Sequence, residues 1–201
     1  MKTIENSWVF TARCPSVLGT VDVCTNYMAE NGFYIDEIQS FDDKANAEFF
    51  IRIAFHPESE NLDLTQFANS FQLEADRFNM QWSLKTPDHP ERTAILVSKY
   101  DHCLNDLLYR HRTGQLLGIE IPVIISNHPD LKELADWHGI PYYHLPISKE
   151  TKPQQEALIR ELLEKYEIDL VVLARYMQVM SPDMCKYLDG WAINIHHSLL
   201  P

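Results

Sequence analysis

The stretch "MQWSLKTPDHPERTAILVS" (residues 80–98) decides how the chain divides. Its first six residues, MQWSLK (80–85), read as a short strand that ends one pattern. Its last six, TAILVS (93–98), read as an apolar strand that opens another. Between them, TPDHPER (86–92) brings two prolines together with Asp88, His89, Glu91 and Arg92, a composition suited to an exposed connection. The reading therefore places a first domain over residues 1–85, a linker over 86–92 and a second domain over 93–201.

Upstream of the linker the order is strand, helix, strand, strand, helix, strand. SWVFTAR (7–13) is a short β-branched and aromatic run. Ser16 is expected to cap a helix with Val17, Val21, Cys24 and Met28 on one face, closed by Asn31-Gly32. FYIDEIQSF (33–41) and AEFFIRIAF (47–55) form a hairpin across DDKAN. A helix from Asp63 carries Phe67, Phe71, Ala75 and Phe78. This βαββαβ order is the ferredoxin-like arrangement.

Downstream, strands and helices alternate strictly. The strands are TAILVS, IPVIIS (121–126), PYYHLP (141–146), DLVVLA (169–174) and WAINIH (191–196); the helices fall at 103–113, 130–138 and 153–167 and from Ser181. In QQEALIRELLEKYE, Leu158, Ile159, Leu162, Leu163 and Tyr166 make one apolar face. Apolar strands separated by helices predict a Rossmann-like parallel sheet covered on both sides, so the whole is an α/β protein of two domains.

Composition narrows the function classes. At 201 residues and 45% hydrophobic content the chain has ample material for real cores. Seventeen basic residues stand against 29 acidic ones, for a net charge of −12. Neither half reverses the sign: residues 1–85 hold six basic and 13 acidic residues, the remainder 11 and 16. That balance argues against a nucleic-acid partner, which requires cationic surface to neutralise phosphates. Cys14, Cys24, Cys103 and Cys185 are scattered without a C-x-x-C pair, as expected of reduced thiols rather than a zinc site or disulfide framework. No run approaches the roughly 18 apolar residues of a membrane span, so a cytoplasmic location is expected.

In open α/β sheets ligands bind beyond the carboxyl ends of the strands. Here those ends are Ser98-Lys99-Tyr100-Asp101-His102, Ser126-Asn127-His128, Arg175-Tyr176-Met177-Gln178 and Asn194-Ile195-His196-His197-Ser198. Asn194 and His196 are two apart on a strand and share a face. A carboxamide N–H can stabilise an oxyanion and an imidazole can move a proton near neutral pH, a pairing suited to acyl chemistry. Spacing alone equally allows both side chains to hydrogen-bond backbone at a strand end. His196 and His197 face opposite sides and cannot readily chelate one ion, so no metal is expected. The chain has no G-x-S-x-G, G-x-x-x-x-G-K-[ST], G-x-G-x-x-G or H-E-x-x-H sequence.

"NIHHSLLP" (194–201) resembles the N-x-H-x-S-L-L-P signature of folate-dependent formyl-transferring and formyl-hydrolysing enzymes, and "LARYMQVMS" (173–181) is similar to their folate-pocket loop. With "SKYDHCLNDLL" (98–108) and "SNHPDL" (126–131), the chain most resembles the formyltetrahydrofolate deformylase family over essentially its whole length. The resemblance implies an N-terminal ACT domain ahead of a formyltransferase-type hydrolase domain. It also implies hydrolysis of 10-formyltetrahydrofolate to formate and tetrahydrofolate, supplying formate for purine synthesis, with folate as substrate and no cofactor.

By the same resemblance Asn194 holds the formyl oxygen, while His196 stabilises the tetrahedral intermediate and protonates the departing nitrogen. Met177, Gln178 and Val179 line the pterin pocket, largely through backbone groups, with Arg175, Ser126 and Asn127 also in the substrate site. "CPSVLGT" (14–20) stands where the family binds small amino-acid effectors, which marks Cys14, Ser16 and Gly19. Ser16 replaces a usual aspartate, and Thr20 a common aliphatic residue. A two-domain ACT enzyme is expected to self-associate. The family's third catalytic member is an aspartate on a strand beyond Pro201, so the chain is expected to be C-terminally truncated. The rival readings are transfer of the formyl group to glycinamide ribonucleotide and a non-catalytic folate-binding or regulatory fragment.

Overall fold

The computed structural model describes residues 7–58 and 64–195. The chain forms two compact units that divide between His89 and Pro90.

The first unit runs β1 (Trp8–Pro15), α1 (Thr20–Glu30), β2 (Phe33–Asp43), β3 (Glu48–Pro57), α2 (Leu64–Arg77) and β4 (Gln81–Lys85). Its antiparallel sheet has the order β2-β3-β1-β4, the ferredoxin-like topology. The period of two in β1 turns Phe10, Ala12 and Cys14 toward a core shared with Ile51, Ile53 and Phe55 of β3. The helices add Cys24, Tyr27 and Met28 from α1 and Phe67, Phe71 and Ala75 from α2. Phe71 meets Phe10 and Tyr27 edge-on at centroid distances of 4.9 and 5.0 Å, the arrangement that ring quadrupoles favour.

Two expectations are corrected in this unit. Ser16 does not cap α1: its hydroxyl donates to Asp42, and its amide donates to the Ala47 carbonyl at 2.9 Å, which ties it to the β2–β3 hairpin. The helix starts at Thr20, after Gly19 takes the left-handed conformation with φ +93°. Its buried face is consequently Thr20, Cys24, Tyr27 and Met28, while Val17 and Val21 are exposed.

The polar connection is shorter than the linker expected from sequence. Thr86 to His89 close a tight turn, with the His89 amide donating to the Thr86 carbonyl at 3.0 Å. Strand β5 (Glu91–Val97) then begins two residues early. Glu91 and Arg92 pair with Ile119 and Glu120 of the next strand, and the Arg92 guanidinium donates to Glu120 at 2.7 Å and to the Tyr166 carbonyl at 2.8 Å. The polar Arg92 side chain fits the strand because it is bonded at the strand's open end.

The second unit continues through α3 (His102–Arg112), β6 (Ile119–Ser126), α4 (Lys132–Trp137), β7 (Tyr142–His144), α5 (Lys152–Lys165), β8 (Leu170–Ala174), α6 (Pro182–Tyr187) and β9 (Ala192–Ile195). All its strand pairs are parallel, in the order β7-β6-β5-β8-β9. Alternation along β5 feeds two cores: Ala94 and Leu96 pack with Ile159, Leu162 and Leu163 of α5 and Met184 of α6, and Ile95 and Val97 with Leu104 and Leu108 of α3 and Ala135 of α4. Both faces of the central strands are covered, which is why their sequences read as continuous apolar runs. Among the described residues no helix is long and apolar enough to cross a membrane.

Candidate active site

The chain leaves β5 for β6 and β7 on one side, then returns to β8 and β9 on the other, so strand order reverses between β5 and β8. A crevice at the carboxyl ends of these strands is the ligand position in open α/β sheets. Three polar strand ends meet at that reversal.

Ser98, directly after β5, is buried and bonded in two directions. Its hydroxyl donates to Asn127 Oδ1 at 2.7 Å and accepts the Met177 amide at 2.9 Å. One buried hydroxyl thus ties the ends of β5 and β6 to the loop after β8. Ser126 is fully buried; its Oγ accepts the His128 amide at 3.0 Å, and its carbonyl accepts the Leu145 amide at 2.7 Å. Asn127 is 7% exposed. Ser126 and Asn127 therefore face inward and brace the rim of the crevice.

The loop after β8 opens on Arg175, whose φ of +57° turns the chain sharply away from the strand. The Arg175 guanidinium lies 4.4 Å over the Tyr100 ring, and its Nη1 sits 3.3 and 3.4 Å from the two ring nitrogens of His102. This packs the β5–α3 segment against the β8 loop. Arg175 Nε is buried and has no hydrogen-bond partner among the described residues.

Tyr176 turns inward, and burial pushes its phenol up to about 12, so it stays neutral across the working range. Its hydroxyl donates to Gln155 Oε1 at 3.3 Å, and the Gln155 amide donates to the Leu145 carbonyl at 2.6 Å. Met177 and Val179 are 51% and 85% exposed, so the middle of the loop is presented to solvent. At its far end Ser181 caps α6, accepting the Met184 amide at 3.1 Å.

On β9, Asn194 pairs with Leu173 of β8, in the register row that contains Leu96 of β5. It is exposed, as are Ile193 and Ile195. His196 and His197 lie outside the described residues. Of the residues marked from sequence, the structure places Arg175, Met177, Gln178 and Val179 in the loop after β8 and Ser126 and Asn127 at the end of β6, with Ser98 hydrogen-bonded to Asn127 and to the Met177 amide. Cys14, Ser16 and Gly19 belong to the first unit. Gln155 and Glu156 were not marked from sequence and brace the loop after β8 from α5; the helical pattern of α5 gave no sign that its first polar residues point at a loop after another strand.

Among the described residues no group of three or more His, Cys, Asp or Glu side chains is arranged to hold a metal. A separate open groove lies on the sheet face of the first unit, lined by Arg13, Phe41, Phe50 and Arg52 among others, and it lacks paired acid–base groups.

Residues 91–201 match the family model described as "Formyl transferase", which defines the class of the second unit. The chain is 41% identical over 193 residues to a formyltetrahydrofolate deformylase of Corynebacterium sp. (strain P-1), covering 96% of this chain and 67% of that protein. It is 37% identical over 189 residues to the Bacillus subtilis protein of the same name, covering 94% and 63%. A crystal structure of a formyltetrahydrofolate deformylase from Pseudomonas putida KT2440 superposes with a TM-score of 0.72 at 50% identity, over 96% of this chain and 69% of that one. The chain belongs to the formyltetrahydrofolate deformylase family. It spans about two thirds of the length of these relatives.

Proposed function

We propose that the protein carrying this chain hydrolyses 10-formyltetrahydrofolate to formate and tetrahydrofolate, and that the formate serves purine synthesis. The carrying observation is the similarity across both units: relatives named for this reaction align over 94–96% of the chain, not over the formyl transferase region alone. That extent disfavours transfer to glycinamide ribonucleotide, the rival reading, because the formyl transferase match accounts only for residues 91–201.

In this reading the pterin end of the substrate lies against the backbone of Met177, Gln178 and Val179, beside Arg175. The Met177 amide is held by Ser98, so recognition falls to the other peptide groups of the loop. Asn194 donates its amide N–H to the formyl oxygen. Water adds to the formyl carbon, and the negative charge that develops on oxygen is stabilised by this donor. His196 transfers a proton to the folate nitrogen as the carbon–nitrogen bond breaks, releasing formate and tetrahydrofolate. In this reading a carboxylate, the family's third catalytic residue, orients the water and takes its proton. No step requires a cofactor.

The first unit is read as an ACT-type regulatory unit, for which its ferredoxin-like topology is the support. Its effector loop is Cys14, Ser16 and Gly19, its ligand a small amino acid, and its setting a homo-oligomer. The decisive assay of the activity uses full-length protein and 10-formyltetrahydrofolate without an amine acceptor. Formate is expected to accumulate in step with tetrahydrofolate. Loss of the formyl group only when glycinamide ribonucleotide is added would overturn the assignment.

A further inference from the structure

Besides the packing of Arg175 on Tyr100 and His102, the loop 175–181 is held at three points, two of them on α5. Gln155 is 3% exposed, accepts the Tyr176 hydroxyl and donates to the Leu145 carbonyl. Glu156, the next residue, accepts the Ser181 amide at 2.8 Å with one carboxylate oxygen and the Ser181 hydroxyl with the other. Neighbouring residues on a helix point about 100° apart, so the pair reaches two places at once, the start and the end of the loop. The third anchor is the Ser98 hydroxyl on the Met177 amide. What remains between the anchors is Gln178 to Met180, with Val179 projecting 85% exposed. A loop pinned at both ends is ordered before ligand arrives, so the ligand does not bear the entropy of ordering it.

We propose that Glu156, supported by Gln155, is a positioning residue for the folate-binding loop: it pre-orders residues 177–180 by gripping Ser181 while Gln155 grips Tyr176. In this reading Glu156 acts on the substrate through the loop, because both of its carboxylate oxygens are bonded to Ser181. The inference rests on the reading of this crevice as the folate site.

Its signature is a split between binding and chemistry, because the group assigned to the formyl oxygen, Asn194, sits on β9. In the full-length protein, Glu156→Ala is expected to raise KM for 10-formyltetrahydrofolate about tenfold, the order of a lost charge-assisted hydrogen bond. kcat should stay within about twofold. Glu156→Gln retains an acceptor for the Ser181 amide and should recover most of the loss. In ligand-free protein, amide exchange at residues 177–180 should accelerate in Glu156→Ala while the strands β5 and β8 keep their protection. Equal falls in kcat and thermal midpoint with KM unchanged, or exchange at 177–180 indistinguishable from the parent, would overturn the proposal. Because the exchange measurement needs no substrate, it stands or falls separately from the deformylase assignment.

Discussion

Replacing Ser98 by alanine removes one buried hydroxyl and undoes two hydrogen bonds together. Asn127 Oδ1 loses a donor at 2.7 Å in a buried setting, and the Met177 amide loses an acceptor at 2.9 Å in a partly buried one. A buried acceptor left unpaired costs about 1–3 kcal/mol, and a partly buried bond contributes about 0.5–1.5 kcal/mol, so the sum is about 2–4 kcal/mol. No cavity of consequence adds to it, since only one oxygen is removed. With a urea dependence of about 2 kcal/mol per molar for a small domain, the unfolding midpoint should fall by about 1–2 M. Amide exchange of β5 and β8 in urea reports this unit apart from residues 1–89. Thr11→Ala is the control: the Thr11–Ser83 hydroxyl pair is as short, at 2.7 Å, but exposed, where water replaces the lost partner. If Ser98→Ala shifts the midpoint by less than about 0.3 M, or no more than Thr11→Ala does, the hydroxyl is not the tie between the strand ends and the reasoning fails.

Two further expectations follow from single groups. Asn194→Ala in the full-length protein should lower kcat by about 10²–10³ with the fold intact, as for loss of one oxyanion donor; an unchanged kcat would remove Asn194 from that role. Stability should decline in alkali, because burial raises the Cys24 thiol from 9.0 and the Tyr176 phenol from 10.0, each to about 12. In both cases the neutral form is favoured by folding and the unfolded chain binds fewer protons above the ordinary value. The contribution is thus complete below about pH 9 and is lost between about 9 and 12, by up to ~1.4 kcal/mol per pH unit for each group. Urea midpoints that stay flat from pH 8 to 11 would contradict these shifts.

Strand and helix order was legible because each element carries its own period. The alternating apolar residues of β1 and the continuous runs of β5 and β8 report how many faces of each sheet are covered. Boundaries were less legible where polar side chains find partners distant in sequence. Ser16 has the chemistry of a helix cap, but Asp42, 26 residues away, takes its hydroxyl. Glu91 and Arg92 resemble linker, but Glu120 and the Tyr166 carbonyl draw Arg92 into a strand. Local propensity cannot anticipate either case, because the competing partner lies in another element.

The candidate site divides along the same line. Sequence by itself established which residue types stand at the strand ends: Ser98, Ser126-Asn127, the Arg175–Val179 segment and Asn194. This followed because an apolar run must end where its cover ends, and polar residues mark the place. Only the tertiary structure decided which of them face the crevice and which brace it. Ser126 and Asn127 are turned inward, Met177 and Val179 outward, and the loop is gripped from α5 by Gln155 and Glu156. The physical reason is that strand order reverses between β5 and β8. That reversal is a property of how the sheet assembles, and it brings residues 79 apart in sequence into one hydrogen bond between Ser98 and Met177.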